Sequence, residues 1–256
     1  MNNEAGTGWP AGFGRRVLDV VDSTNAEAMR AAPTLEGPEW ILGLRQTAGR
    51  GRRGRAWRTA EGNFAASLVL PLPAAEPAGQ RALRSFVAAL ALFDAVVGVI
   101  GQPGGLALKW PNDVLLNGGK LAGILLESAG QGARMAPLVI GFGVNLTEAP
   151  DAQEVKQGAL RPVALLPETG ARVSPEAFLD LLAAAYARRE AAFGAHGFEP
   201  LRAAWLARAT RLGEVITART GRHEITGRFE TVDAAGNLVL LTPHSRQVIA
   251  AAEIFF

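Results

Sequence analysis

Apolar residues along the chain fall into runs that read as strands and stretches that read as helices. Near-continuous apolar runs at residues 64–70 (FAASLVL), 121–127 (LAGILLE) and 137–146 (PLVIGFGVNL) predict strands covered on both faces. Further strands are expected at 17–21, 40–46, 106–110 and 113–117. Helices are expected at 24–32, where Thr24 and Glu27 have capping-box spacing and Pro33 ends the run, and at 80–100, apolar on most faces. A third starts at Ser174-Pro175 and runs to about 193, with a shorter one at 201–208. Residues 147–173 are proline-dotted and aperiodic, and read as a surface connection. Near residue 211 the texture changes to short strands at 214–218, 224–232, 238–241 and 247–250, separated by turn-forming clusters. The expected organisation is an α/β (α+β) unit with a mixed sheet over 1–210, its first dozen residues poorly ordered, and a compact β-barrel over 211–256.

Composition narrows the chemistry. The 256 residues include no cysteine, which removes disulfides, thiolate metal sites and a cysteine nucleophile. The three histidines (His196, His223 and His244) have no i, i+4 pairing, so no histidine metal site is expected and no metal ligand is assigned. A formal charge of +2 gives no bulk pull toward nucleic acid or membrane. Lysines are scarce, with only Lys109, Lys120 and Lys156. The apolar stretch 86–100 carries Asp94 and falls short of the roughly 20 residues that span a bilayer, so it reads as a buried helix. The first ten residues carry no export signal, and a soluble, cytoplasmic protein is expected.

Three segments stand out chemically. In residues 46–57 (QTAGRGRRGRAW), Gly49, Gly51 and Gly54 alternate with Arg50, Arg52, Arg53 and Arg55. Glycine lets a backbone lie against a ligand, and guanidinium forks suit phosphate or carboxylate. The same run also reads as a solvated basic loop or an RGG-like nucleic-acid contact. Its position between two strands, with Trp57 as a stacking surface, favours a structured anion site. Lys109-Trp110-Pro111-Asn112-Asp113 gathers a cation, an aromatic ring, an amide and a carboxylate; it also reads as a simple Pro-Asn-Asp turn. Lys120 opens an apolar strand after two glycines, at a ligand or merely at the solvent boundary. Glycines within 141–145 (GFGVN) mark close approach of a ligand or another backbone.

In order, Ser23-Thr24-Asn25, Gln46 with 49–55 and Trp57, Asn63-Phe64, 109–113, 120–127 and 141–146 resemble the biotin protein ligase family over about 17–146. The resemblance implies a catalytic domain of the class II aminoacyl-tRNA-synthetase-like type and a small SH3-like C-terminal barrel. It implies ATP and biotin as substrates with Mg²⁺, a biotinyl-5′-AMP intermediate, and transfer to a lysine of a biotin carboxyl carrier domain. By resemblance, Ser23, Thr24, Asn25 and Gln46 hydrogen-bond biotin, and Gly49, Arg50, Gly51 and Arg52 form a loop that closes over it. Lys120 binds the biotin carboxylate and the phosphate-linked oxygen, with Arg52 beside it. Arg50, Arg52, Arg55, Trp57, Asn112, Lys120 and Asn145 serve the nucleotide, and Asp113 is the candidate base.

Only 22 residues precede Ser23, too few for a winged-helix DNA-binding domain, so no DNA partner is expected and a homodimer is left open. A lipoate ligase or octanoyltransferase shares the fold but would carry an Arg-Arg-x-Ser-Gly-Gly-Gly type loop. An Arg-rich nucleic-acid module leaves 109–113 and 120–123 unexplained, and no lost residue suggests a non-catalytic biotin sensor. Six arginines within 45–58 repel one another until an anion arrives, so the loop is expected to be mobile without ligand.

Overall fold

The computed structural model describes residues 8–128, 137–151, 160–221 and 223–256. A mixed sheet forms from β1 (Gly14–Val21), β2 (Glu39–Gln46), β3 (Phe64–Leu70), β4 (Leu106–Lys109), β5 (Asp113–Leu116), β6 (Gly119–Ser128) and β7 (Leu138–Val144). Its spatial order is β1-β2-β3-β7-β6-β5-β4, and only β1 and β2 run parallel.

Alternation along the central strands explains both faces. Trp40, Leu42, Phe64, Leu68, Ile124, Ile140 and Phe142 point into the main core. Against them lie α3 (Arg84–Ile100) and α5 (Pro175–His196), with α6 (Phe198–Leu206) beyond. The interleaved positions are small: Gly43, Ala65, Ser67, Gly123, Gly141 and Gly143. This second face is covered at one end by α1 (Thr24–Ala31), on a minor cluster of Ala28, Ile41, Val69 and Val139. The other end, floored by glycines, is a cavity. With a period of two, the same strands give one wall of the core and the floor of the cavity.

α2 (Ala78–Ala82) and α3 together are long and apolar enough to cross a membrane, but here α3 buries Phe86, Leu90, Phe93 and most of its apolar residues beneath the sheet and α5. The C-terminal residues form an antiparallel sheet of β8 (Val215–Arg219), β9 (Glu224–Val232), β10 (Leu238–Leu241), β11 (Arg246–Ile249) and β12 (Glu253–Phe255), in the order β11-β10-β9-β8-β12. It docks on the helical layer through the 233–237 turn, whose Gly236 carbonyl accepts from the Trp110 indole N–H at 3.1 Å.

Several expectations are corrected. Ser23, not Thr24, caps α1, because the Thr24 hydroxyl is drawn to Gln46 Oε1 at 3.2 Å, and Glu27 pairs with Arg16 and Arg30 instead of closing a capping box. Residues 8–12 form a placed turn in which the Trp9 indole donates to the Phe13 carbonyl at 2.7 Å; residues 1–7 lie outside the described residues. The segment 147–173 is more than a surface connection. Val163 and Leu165 are buried, the Lys120 N–H donates to the Arg161 carbonyl while the Lys120 carbonyl accepts from the Val163 N–H, bridging Pro162, and α4 (Leu165–Thr169) follows, while 152–159 lie outside the described residues. The final strand β12 was not expected; at three residues it is too short to show periodicity.

Candidate active site

A cavity of about 600 Å³ lies on the glycine side of the large sheet, between the arginine loop, β5–β7 and the end of β12. Its floor depends on missing side chains. A Cβ on Gly141 would run into Asn25 Oδ1, and one on Gly143 into the Trp57 indole. Trp57 therefore packs over Gly143 of β7 and Gly123 of β6, with Lys120 Nζ 5.8 Å from its ring centroid. This leaves an apolar slot bounded by Trp57, Gly123, Leu125 and Gly143.

At one end the slot is lined by hydrogen-bonding groups. The strand-to-helix turn at Ser23 presents Ser23, Thr24 and Asn25, all buried. The Thr24 N–H donates to Gln46 Oε1 at 2.8 Å, and Gln46 Nε2 donates to Thr59 at 3.0 Å. Ser67, from the sheet floor, lies 2.8 Å from the Thr24 hydroxyl and 2.6 Å from Asn25 Oδ1. Asn25 Nδ2 donates to Glu127 Oε2 at 2.8 Å. Each amide is thus held by its neighbour, so the end is pre-arranged for a neutral, polar ligand group.

The other end is cationic. Lys120 Nζ sits 2.8 Å from Asp113 Oδ1, a buried oxygen that no in-line hydrogen-bond donor reaches among the described residues. Arg52 donates to Asn112 Oδ1 at 3.0 Å, and Asn112 in turn donates to the Ile124 carbonyl at 2.6 Å. Burial draws the Arg52 guanidinium down from its ordinary range, opposed by Asp113. Burial likewise pushes the Lys109 ammonium down, with Asp113 pulling the other way. A buried cation on a neutral partner costs free energy that an incoming anion relieves.

The arginine loop bends over this end. Arg50 pairs with Ala56 and Gly49 with Trp57 across a tight hairpin, whose tip turns through left-handed conformations at Arg53 (φ 58°) and Gly54 (φ 71°). Arg55 grips Glu253 of β12 with two hydrogen bonds of 2.8 Å, and Arg53 reaches the same carboxylate at 3.2 Å. The expected mutual repulsion of the arginines is therefore offset within the chain by Glu253.

Of the residues singled out from sequence, Ser23, Thr24, Asn25, Gln46, Arg50, Gly51, Arg52, Arg55, Trp57, Asn112, Asp113, Lys120 and Asn145 all line one cavity. Gly49 does not; a Cβ there would strike the Trp57 carbonyl and Gln46, so its place is in the hairpin behind the wall. Asn145 is buried and donates to the Val163 carbonyl at 3.0 Å. Lys109, Gly123 and Gly143 lie inside segments already noted but were not assigned roles. Ser67 belongs to no local motif, and Glu253 lies on β12, a three-residue strand too short to read from the sequence.

The sequence profile of the Biotin/lipoate A/B protein ligase family matches residues 17–145, and that of the Biotin protein ligase C terminal domain matches 212–256. The chain is 57% identical to the biotin–[acetyl-CoA-carboxylase] ligase of Paracoccus denitrificans, over 94% of this chain and 99% of that protein. It is 31% identical to the bifunctional ligase/repressor BirA of Bacillus subtilis, over 92% of this chain and 72% of the relative. Among solved structures, the biotin protein ligase of Aquifex aeolicus in complex with biotin and ATP superimposes with a TM-score of 0.78 at 25% identity, covering 94% of this chain and 97% of that one.

Proposed function

The chain belongs to the biotin/lipoate A/B protein ligase family, and from that premise we propose that it joins biotin to a lysine of a biotin carboxyl carrier domain through biotinyl-5′-AMP. The observation that carries this reading is a single slot with a fixed hydrogen-bonding end, an apolar middle and a cationic end. Biotin has the same three parts in the same order: a ureido group, an apolar bicycle with its chain, and a carboxylate.

In the first step a carboxylate oxygen of biotin attacks the α-phosphorus of ATP. The bond from that phosphorus to the bridging oxygen breaks, and pyrophosphate leaves. Thr24, Gln46 and Ser23 hold the ureido end; Asn25 acts from behind, through Ser67 and Glu127. Trp57 covers the bicycle and excludes water. Lys120 and Arg52 face the carboxylate and the α-phosphate, where negative charge gathers, and Lys109 sits beside them. Arg50 and Arg55 ride on the loop above. Fixed donors at the site of developing charge, in a water-poor slot, are a large source of rate.

In the second step the carrier lysine attacks the acyl carbon, the carbonyl-to-phosphate oxygen bond breaks, and AMP leaves. The amine must shed a proton, for which the Asp113 carboxylate is the proposed acceptor, with Asn112 orienting the acceptor or nucleotide. Closure of the loop keeps water from the mixed anhydride.

Mg²⁺ enters this reading with the nucleotide. Among the described residues no group of three potential acidic, histidine or cysteine ligands occurs, and the cavity offers the Asp113 carboxylate and the Asn112 amide oxygen. Such a sparse oxygen set suits a cation carried largely by phosphates and water. We place the boundary between catalytic and C-terminal units near residue 210, after α6. A cytoplasmic location fits the need for ATP and a carrier.

The direct test is ATP–pyrophosphate exchange with biotin or lipoate as the acid. Exchange that requires biotin supports the reading; exchange with lipoate alone, or with neither, defeats it.

A further inference from the structure

The loop arginines are not equivalent. Arg52 turns inward to the neutral Asn112 amide, while Arg53 and Arg55 turn to Glu253 on the last strand of the small sheet. Both bonds from Arg55 are charge-assisted and bidentate, the arrangement that best fixes direction as well as distance. Glu253 is itself held, since β12 pairs along β8 with Glu253 opposite Arg219. Its neighbours Ala252, Ile254 and Phe255 also border the cavity. The loop is therefore tied at its tip to an element far away in sequence, across the mouth of the site.

We propose that Glu253 is a positioning residue that braces the arginine loop shut through Arg53 and Arg55, so that the C-terminal sheet governs retention of the activated intermediate. This rests on the reading of the cavity as an adenylating site and deepens it. The carboxylate engages Arg53 and Arg55 and leaves Arg52, Lys109 and Lys120 among the cations that line the cavity and face phosphate. Arg55, whose guanidinium this carboxylate holds above its ordinary range, serves the lid. The brace matters most after pyrophosphate has left, when the mixed anhydride must wait for a carrier lysine.

The experiment compares full-length wild type, E253Q, R55Q, the R55Q/E253Q double variant and E230Q. E230Q breaks another exposed barrel ion pair, Arg246–Glu230, whose arginine is on β11 at the opposite edge of the small sheet from β12, and controls for loss of barrel stability. Adenylate formation is followed by biotin-dependent pyrophosphate exchange, and release by chasing enzyme-bound labelled biotinyl-AMP. Wild type that forms no adenylate would defeat the functional reading, separately from the brace. With wild type active, the brace predicts that E253Q and R55Q each speed release by about tenfold or more, and that E253Q changes exchange by about threefold or less. The double variant should release no faster than either single one, because both remove the same contact. Release at the wild-type rate in E253Q would overturn the proposal. So would additive effects in the double variant, or a R55Q loss confined to the KM for ATP, which would make Arg55 a direct phosphate ligand.

Discussion

At the scale of single residues, Lys120 joins two jobs: it faces the slot and it balances the buried Asp113. K120A should therefore lower adenylate formation by about 10²–10³-fold, the usual loss for one transition-state donor. It should also cost about 1–3 kcal/mol, because Asp113 is left without its cation. K120A/D113N should regain the stability and not the rate, which pyrophosphate exchange and thermal melting together resolve. Lys109 has a pH signature. Burial lowers its pKa from 10.5, so in the free enzyme the ammonium is lost at lower pH than an exposed lysine's. The cation is present below that shifted value, and kcat/KM for ATP should fall as pH rises through it. K109M should lack this limb; an unchanged alkaline limb in K109M would remove Lys109 from phosphate binding. Lys109, Lys120, Arg52 and Asp113 were all visible in the sequence, because rare lysines and glycine- or proline-flanked charges announce themselves locally. Ser67 was not. Its hydroxyl matters only because β3 brings it beneath Thr24 and Asn25, which are more than forty positions away.

At the scale of elements, the cavity floor is a property of strand alternation. Residues 139–144 read Val-Ile-Gly-Phe-Gly-Val, and the large residues at 140 and 142 enter the core while glycines 141 and 143 face the slot. That pattern was legible as a buried strand with glycines marking close approach; which groups approach required the partners, Asn25 and Trp57. G143A should displace the Trp57 indole at a cost of about 1–3 kcal/mol, typical of overpacking. It should weaken biotin far more than ATP, which isothermal titration with each ligand would detect. Unaltered biotin affinity in G143A would mean that Trp57 does not shape the slot. The α1 cap shows where local reading failed. A capping box needs the Thr24 hydroxyl for the helix N-terminus, but tertiary contacts with Gln46 and Ser67 claim it, and Ser23 takes over through a long 3.5 Å contact with Ala26 N–H.

At the scale of the molecule, two sheets share one site. The change in texture near 211 foretold a second all-β unit, and the seven-stranded sheet followed from its long apolar runs. How the units meet was not legible, because the contact uses a three-residue strand and one glutamate 198 positions from its arginine partner. Sequence periodicity reports what an element buries, and it is silent on which distant surface an exposed charge will find. The described residues thus form one apparatus, with the small sheet closing a slot built by the large one. The slot's proposed task is to activate biotin for transfer to protein. The most direct measurement is incubation with ATP, Mg²⁺ and radiolabelled biotin together with a biotin carboxyl carrier domain, with labelled lipoate in parallel, followed by denaturing electrophoresis. Covalent label is expected on the carrier lysine from biotin only, abolished by K120A. An unlabelled carrier, or equal labelling from lipoate, would contradict it.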